Sequence, residues 1–236
     1  MSETPRRRGR PRLHPAEGPE DPAEQILAVA ARSFVERGFA ATSLASIASG
    51  AGLQRASVYH YFASKDAMLA EIGRRHVSPL LDVLSTLAAE EQSPALQLHR
   101  YLRIDLRHML GSPFDLGALF HLPELRDRVR FDAIWSAVDD IAGQWQAWIE
   151  QAIELGEFVA IDARREVFVL EGSYLGVLAT PRSLLRDDAL GTADAFAAFA
   201  LRALLRDGEA LGHIVRRSVE LDGADPAATL SGSRRT

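Results

Sequence analysis

From Pro22 to Val219 the apolar residues recur at the three- and four-residue spacing of a helix face, with short breaks at Gly or Pro, and no run of alternating β-branched residues interrupts them. This pattern predicts an all-α fold. The stretch "EDPAE" is a strong helix start: Asp21 caps, Pro22 suits the first helical position and Glu24 completes a capping box. Ile26, Leu27, Ala30, Phe34 and Val35 then share one face until Gly38 stops the helix. A short second helix follows Thr42 or Ser43, with Leu44, Ile47 and Ala48 inward, and breaks at "SGAG". A third, equally short, covers Arg55 to Tyr61. Two such helices joined by a Gly-containing turn and packed on a longer one have the outline of a helix-turn-helix domain.

A long fourth helix is expected from Ser64 or Lys65 to Ala89. Further helices are expected over 94–110, 114–119 and 124–155, then near 162–179, 192–206 and 209–219. The tail "DGADPAATLSGSRRT" has no apolar face, and residues 221–236 are expected to be disordered.

With 236 residues, 47% of them hydrophobic, the chain has enough apolar material for one buried core or two smaller ones. It contains no cysteine, which excludes disulfides, thiolate metal sites and cysteine nucleophiles and fits a reducing cytoplasm. The basic start is followed by "LHPAEGPEDP" rather than an apolar segment, so neither a signal peptide nor a membrane span is expected. His99 and His108 are nine apart, no His-x-x-x-His pair occurs, and no phosphate-cradling or nucleophile-elbow motif is present, so neither a metal, a cofactor nor an enzymatic activity is expected. Residues 1–65 carry nine basic and six acidic side chains, a balance of +3, whereas the remainder carries 18 and 26, a balance of -8. The two parts therefore face different partners.

Residues 38–69 read "GFAATSLASIASGAGLQRASVYHYFASKDAML". Gly38, Thr42, Ile47, Ala48, Ala51, Gly52, Ser57, Tyr59, Tyr61, Phe62, Ser64 and Lys65 match in register the DNA-binding domain of the TetR family of bacterial transcriptional regulators, which the sequence resembles. The resemblance implies a three-helix DNA-binding domain over 21–65 and a larger helical regulatory and dimerisation domain over 66–220. It also implies a dimeric regulator, here expected to be a repressor, that leaves a palindromic operator when a small, largely apolar or aromatic ligand binds.

The third helix makes physical sense beside the name. Val58 and Phe62 are four apart and must turn inward onto Phe34, Leu44 and Ile47 to be buried. Arg55, Ala56, Ser57, Tyr59, His60 and Tyr61 are left for an outer face, which holds one formal charge beside hydroxyls, an imidazole and a methyl group. Such a face suits base edges in a major groove: Arg55 for bidentate contact to guanine, Ala56 for a thymine methyl. The resemblance gives Tyr59 and Tyr61 to phosphates, and His60 to a base or a phosphate. The competing reading of the two tyrosines is that they are amphipathic packing residues. Thr42 and Lys65 are expected to position the domain on phosphates, as helix N-termini attract anions.

A two-turn reading helix spans few base pairs, so useful specificity requires two copies about 34 Å apart. Val167, Leu170, Tyr174 and Leu178 form one apolar stripe, and Phe196, Phe199, Ala200 and Leu204 another. The resemblance implies that these helices form a four-helix bundle with a second copy, so Val167, Tyr174, Phe196, Phe199 and Leu204 are expected at a homodimer interface. An effector pocket is likewise implied in the helical body, with Tyr101, His108, Phe120, His121, Phe131, Trp135 and Trp145 as expected lining. His99, Arg103 and Asp105 are further polar groups for it, although an aromatic stripe at this spacing also suits a plain core.

The opening "RRRGRPRLHP" sets Arg8, Arg10 and Arg12 around Gly9 and Pro11. Its "RGRPR" resembles an AT-hook core, which lies extended in a narrow minor groove. Residues 1–20 are thus expected to be a disordered basic arm that adds grip on DNA. Two other readings compete: a helical small-molecule binder or enzyme with a vestigial DNA-binding motif, and an architectural DNA protein that uses the arm alone.

Overall fold

In a computed structural model, residues 21–180, 184 and 189–222 are described. They are helical apart from turns and one isolated antiparallel bridge between Phe158 and Leu205. In chain order the helices are α1 (Pro22–Arg37), α2 (Leu44–Gly50), α3 (Arg55–Tyr61), α4 (Lys65–Ala89), α5 (Pro94–Gly111), α6 (Leu116–Phe120), α7 (Asp132–Glu154), α8 (Ala163–Leu178), α9 (Ala189–Leu204) and α10 (Ala210–Asp222), with a 3-10 turn at Pro123–Arg126. The expected arginine arm, with Arg8, Arg10 and Arg12, lies outside the described residues, as does the expected tail beyond Asp222. The chain divides into two compact units, Met1–Leu69 and Ala70–Thr236.

In the first unit, Asp21 caps α1 by accepting from the Ala23 amide at 2.9 Å, with Pro22 at the first helical position. Gly38 ends the helix at φ 85°, a left-handed conformation that side chains other than glycine rarely adopt. Between the two expected caps of α2 the structure selects Ser43, whose hydroxyl and backbone amide exchange bonds with Ser46 in a reciprocal capping box. Ile26, Leu27, Ala30, Phe34, Ile47, Val58 and Phe62 are buried together, with the Phe34 and Phe39 rings 4.8 Å apart.

The second unit is organised around α5, which is buried on every side from Pro94 to Arg107 and packs on α6, α7, α8, α9 and α10. A helix so enclosed should be apolar all round, yet α5 carries three arginines. Their charges are met within the fold. Arg100 donates to Asp222 at 2.5–2.9 Å and pairs with Glu90. Arg103 and Arg107 both donate to Asp194 of α9, at 2.8 Å and 2.5–3.0 Å. The Gln97 amide closes the α4–α5 turn by donating to the carbonyls of Leu87 and Glu90.

The long helix expected over 124–155 begins only at Asp132. Pro123 opens a 3-10 turn, and the Asp127 carboxylate accepts from the Arg130 amide, a side-chain turn that competes with helix continuation. One glycine fixes a packing distance. A Cβ on Gly117 of α6 would overlap the Leu178 carbonyl oxygen of α8, so the two backbones touch there.

Candidate functional site

On α3, Val58 is fully buried and Phe62 closes the helix from the core side, which fixes the rotation of the other side chains. Arg55, Ala56, Tyr59, His60 and Tyr61 are exposed, with Tyr59 at 45% and Tyr61 at 43%; Ser57 is half-buried. The tyrosines do not pack in the core of this unit. Arg55 donates to the Tyr59 hydroxyl at 3.0 Å and lies 5.4 Å from its ring centre, which uses one of the five N–H donors of the guanidinium. His60 and Tyr61 meet edge to face at 5.4 Å.

Two residues expected to touch phosphate are also tied into the fold. Thr42 is buried, and its hydroxyl donates to the carbonyls of Gly38 and Ser33, which fastens the α1–α2 turn to α1. Lys65 is half-buried, with Nζ donating to the Phe39 carbonyl at 2.5 Å and lying 4.5 Å from the Phe39 ring centre. The motif register marks both positions as part of the pattern. It carries no signal that each also meets a backbone carbonyl.

The second unit holds a cavity of about 370 Å³, partly open to solvent, between α4, α5, α6, α7 and α8. Its walls are apolar and aromatic: Val77, Leu80, Met109, Phe120, Trp135, Val138, Ile141, Ala142, Trp145, Leu175 and Leu178. Asp105, Tyr174, Glu171, His121, Arg126, Arg128 and Asp139 are the polar groups of the lining. Tyr174 donates to the Asp105 carboxylate at 2.6 Å. Burial raises the Asp105 carboxyl to about 7, against the opposing effect of that hydrogen bond. Burial also raises Glu171, with Asp139 adding to the effect. Arg128 pairs with Asp139 and lies 4.7 Å from the centre of the Trp135 ring, whose Nε1 donates to the Leu125 carbonyl at 2.7 Å. The Trp145 Nε1 is buried without a hydrogen-bond partner.

Of the expected lining, Phe120, His121, Trp135 and Trp145 reach the cavity and Tyr101, His108 and Phe131 do not. Tyr101 is fully buried behind the wall, its ring 6.1 Å from that of Trp145 and 6.0 Å from that of Trp148. His108 bonds through Nε2 to the His76 carbonyl, and Phe131 is buried at the start of α7. Arg103 turns to Asp194 on another side of α5. His99 is enclosed as a neutral imidazole, its pKa lowered to about 4 by burial and by Arg103. Among the described residues no cluster of three or more His, Asp or Glu side chains could hold a metal ion, and no helix is long and apolar enough to cross a membrane.

The model of the bacterial regulatory proteins of the tetR family matches residues 26–72, which takes in most of α1, all of α2 and α3, and the start of α4. Over 139 residues the chain is 34% identical to the transcriptional repressor KstR2 of Rhodococcus jostii, a match that spans 57% of this chain and 66%, just under two thirds, of that repressor. The fold matches the crystal structure of Mycobacterium smegmatis AmtR with a TM-score of 0.75 at 25% identity, over 89% of this chain and 98% of that one. The chain carries a TetR-family DNA-binding segment. The ketosteroid transcriptional regulator KstR2 of Mycobacterium tuberculosis shares the TetR-family fold, with a TM-score of 0.69 at 22% identity over 81% of this chain and 99% of that one.

On α8 and α9, the TetR-family helices expected to meet a second copy, the apolar stripes are displaced from the positions that periodicity suggests. Val167, Phe196 and Leu204 are buried in their own unit, and Tyr174 lines the cavity, because α5 and α7 cover that side. Phe199 is exposed at 57%, and on α8 Phe168 at 76% and Val169 are exposed, as is Leu175, which also lines the cavity. Both faces of α8 are apolar, so periodicity alone could not tell which one turned outward. The missed signal was Phe168 and Leu175, seven residues apart with Gly172 and Gly176 beside them.

Proposed function

We propose that this chain is a dimeric, ligand-responsive transcriptional repressor. Residues 21–65 read DNA, and residues 66–220 bind an effector and a second copy. The observation that carries this reading is α3: within the segment matched to the TetR family, a buried Val58 holds Arg55, Ala56, Tyr59, His60 and Tyr61 outward, with Ser57 at their margin. Arg55 contacts a guanine edge, Ala56 a thymine methyl, and Tyr59, His60 and Tyr61 bind backbone or bases. Thr42 and Lys65 contribute by shaping the turn that presents α3. The exposed Phe168 and Phe199 support pairing with a second copy, as exposed large apolar side chains favour association. Arg8, Arg10 and Arg12 add minor-groove grip from the N-terminal arm.

The cavity is the effector site, and α4 links the two regions, since its first residues belong to the DNA-reading unit and the rest to the other. A ligand releases the repressor only if it binds the DNA-incompetent state more tightly. The protein acts in the cytoplasm, where its operator lies.

Selection of bound DNA from a random pool, followed by sequencing, tests the reading. Two half-sites related by a two-fold axis are expected, and deletion of residues 1–12 should weaken binding and flatten its salt dependence. A pool that enriches no sequence, or one without paired half-sites, overturns it.

A further inference from the structure

The polar groups of the cavity do not balance at its floor. Asp105 is 4% exposed, and its one hydrogen bond comes from the neutral Tyr174 hydroxyl. No Lys, Arg or His pairs with it among the described residues. The two guanidiniums of the lining lie elsewhere. Arg128 is taken by Asp139 and the Trp135 ring, and Arg126 is exposed on the 3-10 turn. Glu171 adds a second carboxyl to the α8 wall, where the Arg128 charge only partly offsets the burial and the Asp139 charge that raise its pKa. A buried carboxylate in apolar surroundings is costly unless a proton or a cation compensates it.

The surroundings of Asp105 are those that stabilise an organic cation. The Tyr174 and Trp145 rings stand edge to face 6.2 Å apart and both line the cavity. Aromatic faces beside a carboxylate attract ammonium groups through the ring quadrupole. Trp145 is 3% exposed, and its indole N–H has no acceptor, which leaves a place for a ligand oxygen. The apolar remainder, with Met109, Ile141 and Leu178, suits a ring or hydrocarbon frame.

We propose that the cavity takes a basic, largely apolar ligand: a protonated amine on an aromatic or alicyclic frame, its ammonium paired with Asp105. This rests on the reading of the cavity as the effector site. The raised Asp105 carboxyl agrees with it, because a site that disfavours the carboxylate when empty gains most from a ligand that brings the opposite charge.

The test is calorimetric titration of the full chain near pH 8, where an alkylamine stays protonated, with three probes of one shape: 2-naphthylmethylamine, 2-naphthylmethanol and 2-naphthoate. The amine should bind about tenfold or more tightly than the alcohol, and the carboxylate most weakly. Asp105→Asn should remove the preference for the amine and leave the alcohol's affinity nearly unchanged. Tyr174→Phe, which keeps the carboxylate, should retain the preference, so the inference stays open to test even if Asp105→Asn fails to fold. Equal or tighter binding of the alcohol or the carboxylate to the unsubstituted protein overturns the inference and leaves the effector cavity standing. A preference unchanged in Asp105→Asn also overturns it. Binding of none of the three overturns both.

Discussion

The two units treat polar side chains in opposite ways. In the first, an apolar core of Ile26, Phe34, Ile47 and Val58 is complete in itself, and Arg55, Tyr59, His60 and Tyr61 stand outside it. In the second, the central helix carries Arg100, Arg103, Asp105, Arg107 and His99 into the interior. The difference separates function from stability in the first unit and joins them in the second. A side chain that reads DNA can be removed from a surface at little cost to the fold, whereas a buried polar group beside a cavity is also part of the core. Pairing explains how the second unit tolerates this: Asp194 and Asp222 meet the arginines.

The largest effect that follows is at Asp194. Its replacement by Ala leaves Arg103 and Arg107 buried without their shared carboxylate. Breaking a buried pair by removing one partner typically costs about 3–5 kcal/mol, and the 42% exposure of the Asp194 side chain puts the expected cost at the lower end of that range. The urea midpoint should fall accordingly. A cost below about 1 kcal/mol would mean that water reaches the arginines and that the contrast between the units is weaker than the burial implies.

The next effect is in pH, and it comes from two residues of α5 with opposite signs. His99 has a folded value of about 4 against an ordinary 6.5, so between those values the unfolded chain takes up a proton that the native state refuses. Its contribution is lost as the pH falls. Asp105 has a folded value of about 7 against an ordinary 3.8, so the native state keeps a proton that the unfolded chain releases, and stability is lost as the pH rises through that window. The two slopes oppose each other between about pH 4 and 7. Relative to the parent, His99→Leu should gain about 3 kcal/mol on acidification from pH 7 to 4, because each tenfold change in proton affinity is worth about 1.4 kcal/mol. Asp105→Asn should gain a similar amount in the opposite direction. Thermal melts of each variant against the parent across this range check both signs.

The same contrast explains what could be read from the sequence. The helical architecture and α3 were legible, because caps, helix-ending glycines and the 38–69 register are local features. The orientation of α3 was legible too, since Val58 and Phe62 alone are apolar enough to define its inner face. The cavity was legible in part: Phe120, Trp135 and Trp145 were in the pattern, but Tyr101 and Phe131 have the same chemistry and face solid core. Which aromatic lines a void depends on a turn of helix against several neighbours, and no local signal carries that. Glu171 and Asp139 resemble solvated acids in sequence, and only the approach of α7 to α8 brings them to the lining. The outward face of α8 was missed for a related reason, since Val167 and Phe168 are equally apolar and only α5 and α7 decide between them.

On the surface of the first unit, Arg55→Ala should cost operator affinity without cost to the fold. Loss of a bidentate base contact is worth about 1–3 kcal/mol, or about 10- to 100-fold in affinity, concentrated at one base position. The urea midpoint should stay within about 0.5 kcal/mol of the parent, as for most surface substitutions. A gel-shift series over single-base operator variants reads the first quantity. Uniform weakening at every position would make Arg55 a phosphate contact.

Lys65 is where the contrast is most easily broken, because a residue of the DNA-binding motif is also tied into the fold. Its Nζ donates to the Phe39 carbonyl next to the turn that leads into α2. If that bond is its main role, Lys65→Met should lower stability by about 1 kcal/mol, the worth of an ordinary charged hydrogen bond that is partly solvated. The salt dependence of operator binding should then keep its slope, because no counterion is released at that position. If Lys65 instead leaves the carbonyl for a phosphate in the complex, the slope should fall by about one and stability should change little. The two measurements move in opposite directions under the two roles. A pinned lysine would extend to the DNA-reading unit the rule seen in α5, that a charged side chain near the interior serves the fold first.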